Sequence, residues 1–153
     1  MHLTRDSIPV EDLACDSRDF HSGAKVIFLG KVRNHSQGRK VLYLEYEAYE
    51  SMAESLIGNL IVEAQTILKI DGVRVLHRLG KVELGEAAVL IEVGSAHRDE
   101  AYQASRFLIE GIKHQVPIWK KEYFADGTSE WSLCQHKHAR VTIPVNRNEG
   151  MGC

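Results

Sequence analysis

Cysteine is scarce and unpatterned in this chain: 153 residues hold three, Cys15, Cys134 and Cys153, an odd count at unrelated spacings. A disulfide framework of the secreted kind is therefore not the expected source of stability, and a reducing cytoplasm is the expected setting. Long apolar runs are missing too. No stretch approaches the roughly 20 residues that a membrane span needs, and Met1-His2-Leu3-Thr4-Arg5-Asp6 leads into no apolar signal core. The chain is expected to be soluble and untargeted, with no membrane partner. Excess positive charge is likewise absent, the formal net charge being −2. Broad electrostatic attraction to nucleic acid is thereby disfavoured, while a local basic cluster is still allowed.

What is present suits an ordinary globular protein. Hydrophobic residues make up 44% and charged residues 26%, so disorder is not the default. At this length the expectation is one domain over 1–153, able to bury a core without staples.

Along the chain, residues 1–22 mix Asp6, Glu11, Asp12, Asp16 and Asp19 with few apolar side chains and read as a loosely packed lead-in. Residues 24–32 are β-rich and apolar on both faces, the pattern of a central strand. A polar, glycine-containing loop follows and places Arg33 at the strand end. Residues 41–48 alternate as a half-exposed strand does, and a hairpin with the preceding strand is expected. Ser51 and Glu54 have capping-box spacing ahead of a helical stripe running to Gly72. Strands are expected at 73–79 and 87–93, with a short segment at 81–84 between turns at Gly80 and Gly85-Glu86. Two more, 118–124 and 130–133, flank the turn Ala125-Asp126-Gly127-Thr128, and 141–145 could form an edge strand. Hairpins around two principal helices indicate an α+β fold with a mainly antiparallel sheet.

The second helix, expected over 99–114, organises the candidate chemistry. Asp99 and Glu100 suit the positive end of its dipole, and Lys113 and His114 the negative end. Ala101, Ala104, Ser105, Leu108 and Ile112 recur at helical spacing as a buried stripe, and Pro117 ends the element. His97 and Arg98 stand where unpaired backbone N–H groups attract an anion. His97, Arg98, Lys113, Lys120 and Lys121 thus cluster around one element, which is how an anion site is built.

Three segments in order, Gly30-Lys31-Val32-Arg33-Asn34-His35, Ser95-Ala96-His97-Arg98, and Lys113 followed by Val116-Pro117-Ile118-Trp119-Lys120-Lys121-Glu122, resemble the catalytic (large) subunit family of molybdopterin synthase. That resemblance implies an α/β hammerhead-type fold and a homodimer inside a heterotetramer. A small ubiquitin-like sulfur-carrier subunit would bind at each end. The carrier's C-terminal Gly-Gly thiocarboxylate would give two sulfurs to cyclic pyranopterin monophosphate, making the dithiolene of molybdopterin, with no cofactor and no metal. The resemblance further implies that Lys113 and Lys120 are catalytic. Lys113 would approach the carrier's terminal carbonyl as a reactive amine, and Lys120 would stabilise developing oxyanion charge. Arg33, His97 and Arg98 would hold the phosphate and pterin, with Lys31, Val32, Lys121 and Glu122 extending the substrate-binding set. Such residue types fit the chemistry, because two anions meet only where fixed cations offset their repulsion, and arginine grips phosphate through a planar fork.

Plainer readings stand beside these. Lys113 could simply serve the helix dipole, and His97 and Arg98 could form a solvated turn. His35, His77 and His114 read as surface or satisfied core histidines, and Trp119 as a core aromatic. Cys134, His136 and His138 invite a metal reading but do not make a four-ligand cage. The alternative functions are a non-catalytic phosphate or RNA-binding module using the same basic cluster, and a purely structural oligomer in which Lys113 and Lys120 are replaceable.

Overall fold

Strand Ala87–Ser95 is buried at every position, and the rest of the fold is laid around it. The computed structural model describes residues 1–11, 13 and 21–133. In chain order these form β1 (Leu3–Thr4), β2 (Ala24–Lys31), β3 (His35–Ser36), β4 (Arg39–Ala48), α1 (Glu50–Ile67), β5 (Ile70–Arg78), β6 (Gly80–Glu83), β7 (Ala87–Ser95), α2 (Arg98–Gln115), β8 (Ile118–Phe124) and β9 (Ser129–Leu133). One sheet has the order β1-β5-β7-β2; the other has β3-β4-β8-β9 with β6 also paired to β4. Only β1 and β5 run parallel among these pairs, so the α+β class with mainly antiparallel sheets holds. The possible edge strand at 141–145 and the Cys134, His136 and His138 group lie outside the described residues.

Both faces of β7 are covered, which explains its largely apolar run, interrupted by Glu92, whose carboxylate pairs with Lys25 at 3.1 Å and Arg74 at 3.2 Å. On one side Val89, Ile91 and Val93 join Ala53, Ile57 and Leu60 of α1 and Ala101, Ala104 and Leu108 of α2 in the main core. On the other, Ala87 and Leu90 meet Ile8 and Leu13. The described part of the lead-in is therefore packed, not loose. Glu54 fastens it, accepting hydrogen bonds from the backbone N–H groups of His2 and Leu3 at 2.8 Å.

That use of Glu54 overturns the capping-box reading. Helix α1 starts one residue earlier than Ser51, at Glu50, with Tyr49 as a cap that makes no side-chain hydrogen bond. Its other end is also earlier than expected. Leu68 is already extended, and Ile70 and Gly72 pair with Ser95 and Gly94 of β7. Ladder hydrogen bonds to a buried strand outcompete a last helical turn on those residues.

Segment 24–32 is not central. Strand β2 lies at the end of its sheet, and its two apolar faces serve different layers, Val26 and Phe28 under the helices and Leu29 against the N-terminal segment. Nor does it form a hairpin with β4. Val32 carries the chain out of the first sheet, its N–H donating to Glu86 O at 3.0 Å and its carbonyl accepting from Gly85 at 2.8 Å, while β4 pairs with β3, β6 and β8. The return crossing comes at Gly80, whose φ of +79° suits glycine, between β5 in one sheet and β6 in the other. Trp119 faces away from the core and donates from Nε1 to Glu47 Oε2 at 3.2 Å.

Candidate active site

The sheets and the C-terminal half of α2 leave a cavity of about 370 Å³ between them. Pro117 sets its geometry. Val116 is extended at φ −87°, so α2 ends at Gln115 and β8 starts with Ile118. Alternation along β8 then turns Ile118, Lys120 and Glu122 into the cavity. Lys113, in the last turn of α2, enters the same space from the helix side, and Lys31 and Arg33 enter from the end of β2. Phe28, Val89, Ile109 and Ile112 supply an apolar wall.

Depth separates the polar groups. Lys31, Arg33 and Lys113 are exposed, so they ring the mouth, whereas Glu122 is 9% exposed and His77 6%. Lys120 donates to Glu122 Oε1 at 2.9 Å. Burial pushes the Glu122 carboxyl up, but the Lys120 hydrogen bond and charge, the Ser36 hydroxyl and the Arg33 charge outweigh it and hold Glu122 below the usual carboxylate range. Glu122 is thus an anion that fixes Lys120 in place. Lys31, Arg33 and Lys113 make no ion pair among the described residues and are available to an incoming anion.

The remaining residues singled out in the sequence sit elsewhere. Val32 is 3% exposed in a core patch with Val41, Leu44 and Val82, where it anchors the backbone between Lys31 and Arg33 without lining the cavity. Lys121 has the opposite parity to Lys120 on β8 and lies over the rings of Tyr123 and Trp131, 5.2 and 5.4 Å from their centroids. His97 and Arg98 stand at the other end of α2, roughly 22 Å along the axis from Lys113 at about 1.5 Å per residue. There they line a separate depression with Asp99 and Tyr102. Four polar residues that line the cavity, His35, Ser36, Tyr46 and His77, are not among the site residues that the sequence suggests. His77 had one available signal, since it shares the inward parity of Val75 and Leu79, both buried.

Fold and cavity together define an α+β protein with an enzyme-like pocket, apolar on one wall and cationic at its mouth. Comparison with known proteins makes the class specific. The MoaE protein family profile matches residues 3–115. A molybdopterin synthase catalytic subunit of Thermoplasma volcanium is 44% identical over 131 residues, 86% of this chain and 96% of that one. A crystal structure of molybdopterin synthase from Staphylococcus aureus is 39% identical, with a TM-score of 0.76 over 86% of this chain and 95% of that chain. A chain in a complex of subunits 1 and 2 of molybdopterin-converting factor from Helicobacter pylori shares the fold at 20% identity, with a TM-score of 0.70 over 85% of this chain and 88% of that chain. The chain belongs to the MoaE protein family, in which its relatives are molybdopterin synthase catalytic subunits. Among the described residues no helix is long and apolar enough to cross a membrane.

Proposed function

We propose that the cavity is the sulfur-transfer site of a molybdopterin synthase, where cyclic pyranopterin monophosphate receives two sulfurs from the C-terminal thiocarboxylate of a small carrier subunit. The observation that carries this is the convergence of Lys113 and Lys120, from a helix end and a strand, on one pocket that also holds Lys31 and Arg33. Both reactants are anions. Exposed Lys31, Arg33 and Lys113 offset their repulsion at the mouth, where a narrow C-terminal tail ending in Gly-Gly can enter.

The roles follow from position. Lys113 is exposed, with no ion pair among the described residues, and meets the carrier's terminal carbonyl. Lys120, oriented by Glu122, offers its remaining N–H donors to oxygen that gains charge as the carbonyl is attacked. Arg33 and Lys31 hold the phosphate. Such a reaction belongs in the cytoplasm, where thiols stay reduced.

His97 and Arg98 cannot reach this cavity within one chain, and the homodimer inside a heterotetramer supplies a way in: a second copy presents its helix start to the first copy's pocket. The decisive assay mixes the protein with thiocarboxylated carrier and cyclic pyranopterin monophosphate and follows dithiolene product by mass spectrometry. Wild-type protein should turn over, and Lys113→Ala and Lys120→Ala should each lose at least about a hundredfold in rate, the usual scale for removing a group that stabilises transition-state charge. Normal turnover by Lys113→Ala would sink the assignment.

A further inference from the structure

His77 lines the cavity, yet the sulfur-transfer reading gives it no task. It sits on β5 opposite Val89 of β7 and is 6% exposed. Its Nδ1 lies 3.0 Å from the carbonyl oxygen of Arg78. A carbonyl only accepts, so Nδ1 carries the proton and Nε2 keeps its lone pair. Tyr46 meets the imidazole edge-on, ring centroids 5.1 Å apart at 72°, which holds the ring's orientation.

The lone pair at Nε2 has no hydrogen-bond partner among the described residues. Nor is it one of the side-chain atoms there that are both sealed and unpartnered, which are Arg78 Nε and Glu100 Oε2. It therefore opens on the space that the residue lines. Around it, the deep part of the cavity has apolar Val89 and Phe28 and the Lys120–Glu122 pair, while the exposed cations stay at the mouth. A ligand with a phosphate and a flat nitrogen heterocycle has two ends to match. The cations suit the first, and an uncharged acceptor in an apolar wall suits an N–H of the second.

Resting on the sulfur-transfer reading, we propose that His77 is a specificity-determining residue whose Nε2 accepts a hydrogen bond from a ring N–H of the substrate's pterin. Burial supports this, since it pushes the imidazole down to about 4 against the opposing effect of the Arg78 carbonyl. The ring is then neutral at physiological pH and keeps its acceptor. A ligand that lacks the N–H leaves a desolvated lone pair unpaired, which is how a buried polar group rejects the wrong heterocycle.

His77→Asn and His77→Gln separate the two nitrogens. Asparagine reproduces the donor near Nδ1 and has nothing at Nε2, whereas glutamine can place its side-chain oxygen near Nε2. Calorimetric titration should show His77→Asn binding cyclic pyranopterin monophosphate about tenfold more weakly, the scale of one hydrogen bond. Its affinity for inorganic phosphate should stay within about twofold of wild type, and in turnover KM should rise while kcat holds. His77→Gln should recover most of the pterin affinity. Wild-type pterin affinity in His77→Asn, or an equal loss towards inorganic phosphate, overturns the proposal alone. A wild-type protein that ignores the pterin phosphate removes the sulfur-transfer reading as well. Should His77→Asn fail to fold, His77→Met fills the ring's volume without a nitrogen acceptor, and unchanged pterin affinity in it is equally fatal.

Discussion

Lowering the pH from 7 to 5 should cost this protein about 2 kcal/mol through His77 alone. The imidazole is held down to about 4 in the fold by burial, which the hydrogen bond to the Arg78 carbonyl only partly offsets, against 6.5 in the unfolded chain. Between those values the unfolded state binds the extra proton, so stability falls as pH drops from 6.5 towards 4 and is level above and below that window. At about 1.4 kcal/mol per unit the full loss is on the order of 3 kcal/mol, and about 2 of it has accrued by pH 5. The carboxylates held low by their partners, Glu86, Glu122 and Asp126, act at lower pH, because their stabilisation fades only as pH falls from the unfolded values of 4.5, 4.5 and 3.8. Urea denaturation of wild type and His77→Asn at pH 7, 6 and 5 isolates the effect, since the other histidines cancel in the difference. Wild type should lose about 2 kcal/mol relative to the variant over that range. A difference that stays constant within about 0.5 kcal/mol would show that His77 is not buried as a neutral ring.

Two further predictions concern packing and assembly. Helices α1 and α2 approach closely at Gly111, where an added Cβ would stand 2.7 Å from Leu60 Cδ2, so Gly111→Val should lose about 1–3 kcal/mol in denaturation. Adding Leu60→Ala should give back part of that loss, and strictly additive effects would refute the contact. If His97 and Arg98 complete the pocket of a second copy, refolding an equal mixture of Arg98→Ala and Lys113→Ala proteins should restore about a quarter of wild-type turnover, because half the dimers are mixed and each has one intact site. No recovery in mixed dimers confirmed by mass spectrometry would place both residues outside a shared site.

Legibility in the sequence followed the range of the interactions. The stripe Ala101, Ala104, Ser105, Leu108 and Ile112 was readable because its period is local, and all five are buried. Strands 41–48 and 118–124 were readable from alternation, and the β8–β9 turn from Asp126 and Gly127, where φ is +84° and Asp126 Oδ1 accepts from the Thr128 N–H at 2.9 Å. Strand 24–32 reads as central from its sequence yet lies at a sheet end, because two apolar faces identify two covered faces, not two strand neighbours. Glu54 has the spacing of a helix cap, but its carboxylate serves the backbone of a segment 52 residues away, which local spacing does not reveal.

The candidate site divides along the same line. Residue types, order and the break at Pro117 are written in the chain, and they identify a helix with cationic ends and a family resemblance. Which of those cations share a cavity is not, since on β8 one residue's shift exchanges Lys120 for Lys121 across the sheet, and Arg98 and Lys113 stand at opposite ends of an 18-residue helix. His77 shows this most sharply. Its neutrality comes from burial beside Tyr46 and Val89, which the tertiary fold brings around it over distances that local patterns do not span, while the adjacent Arg78 carbonyl fixes the proton on Nδ1 and leaves Nε2 open. Backbone periodicity is a property of neighbours in sequence, whereas desolvation and charge pairing depend on neighbours in space.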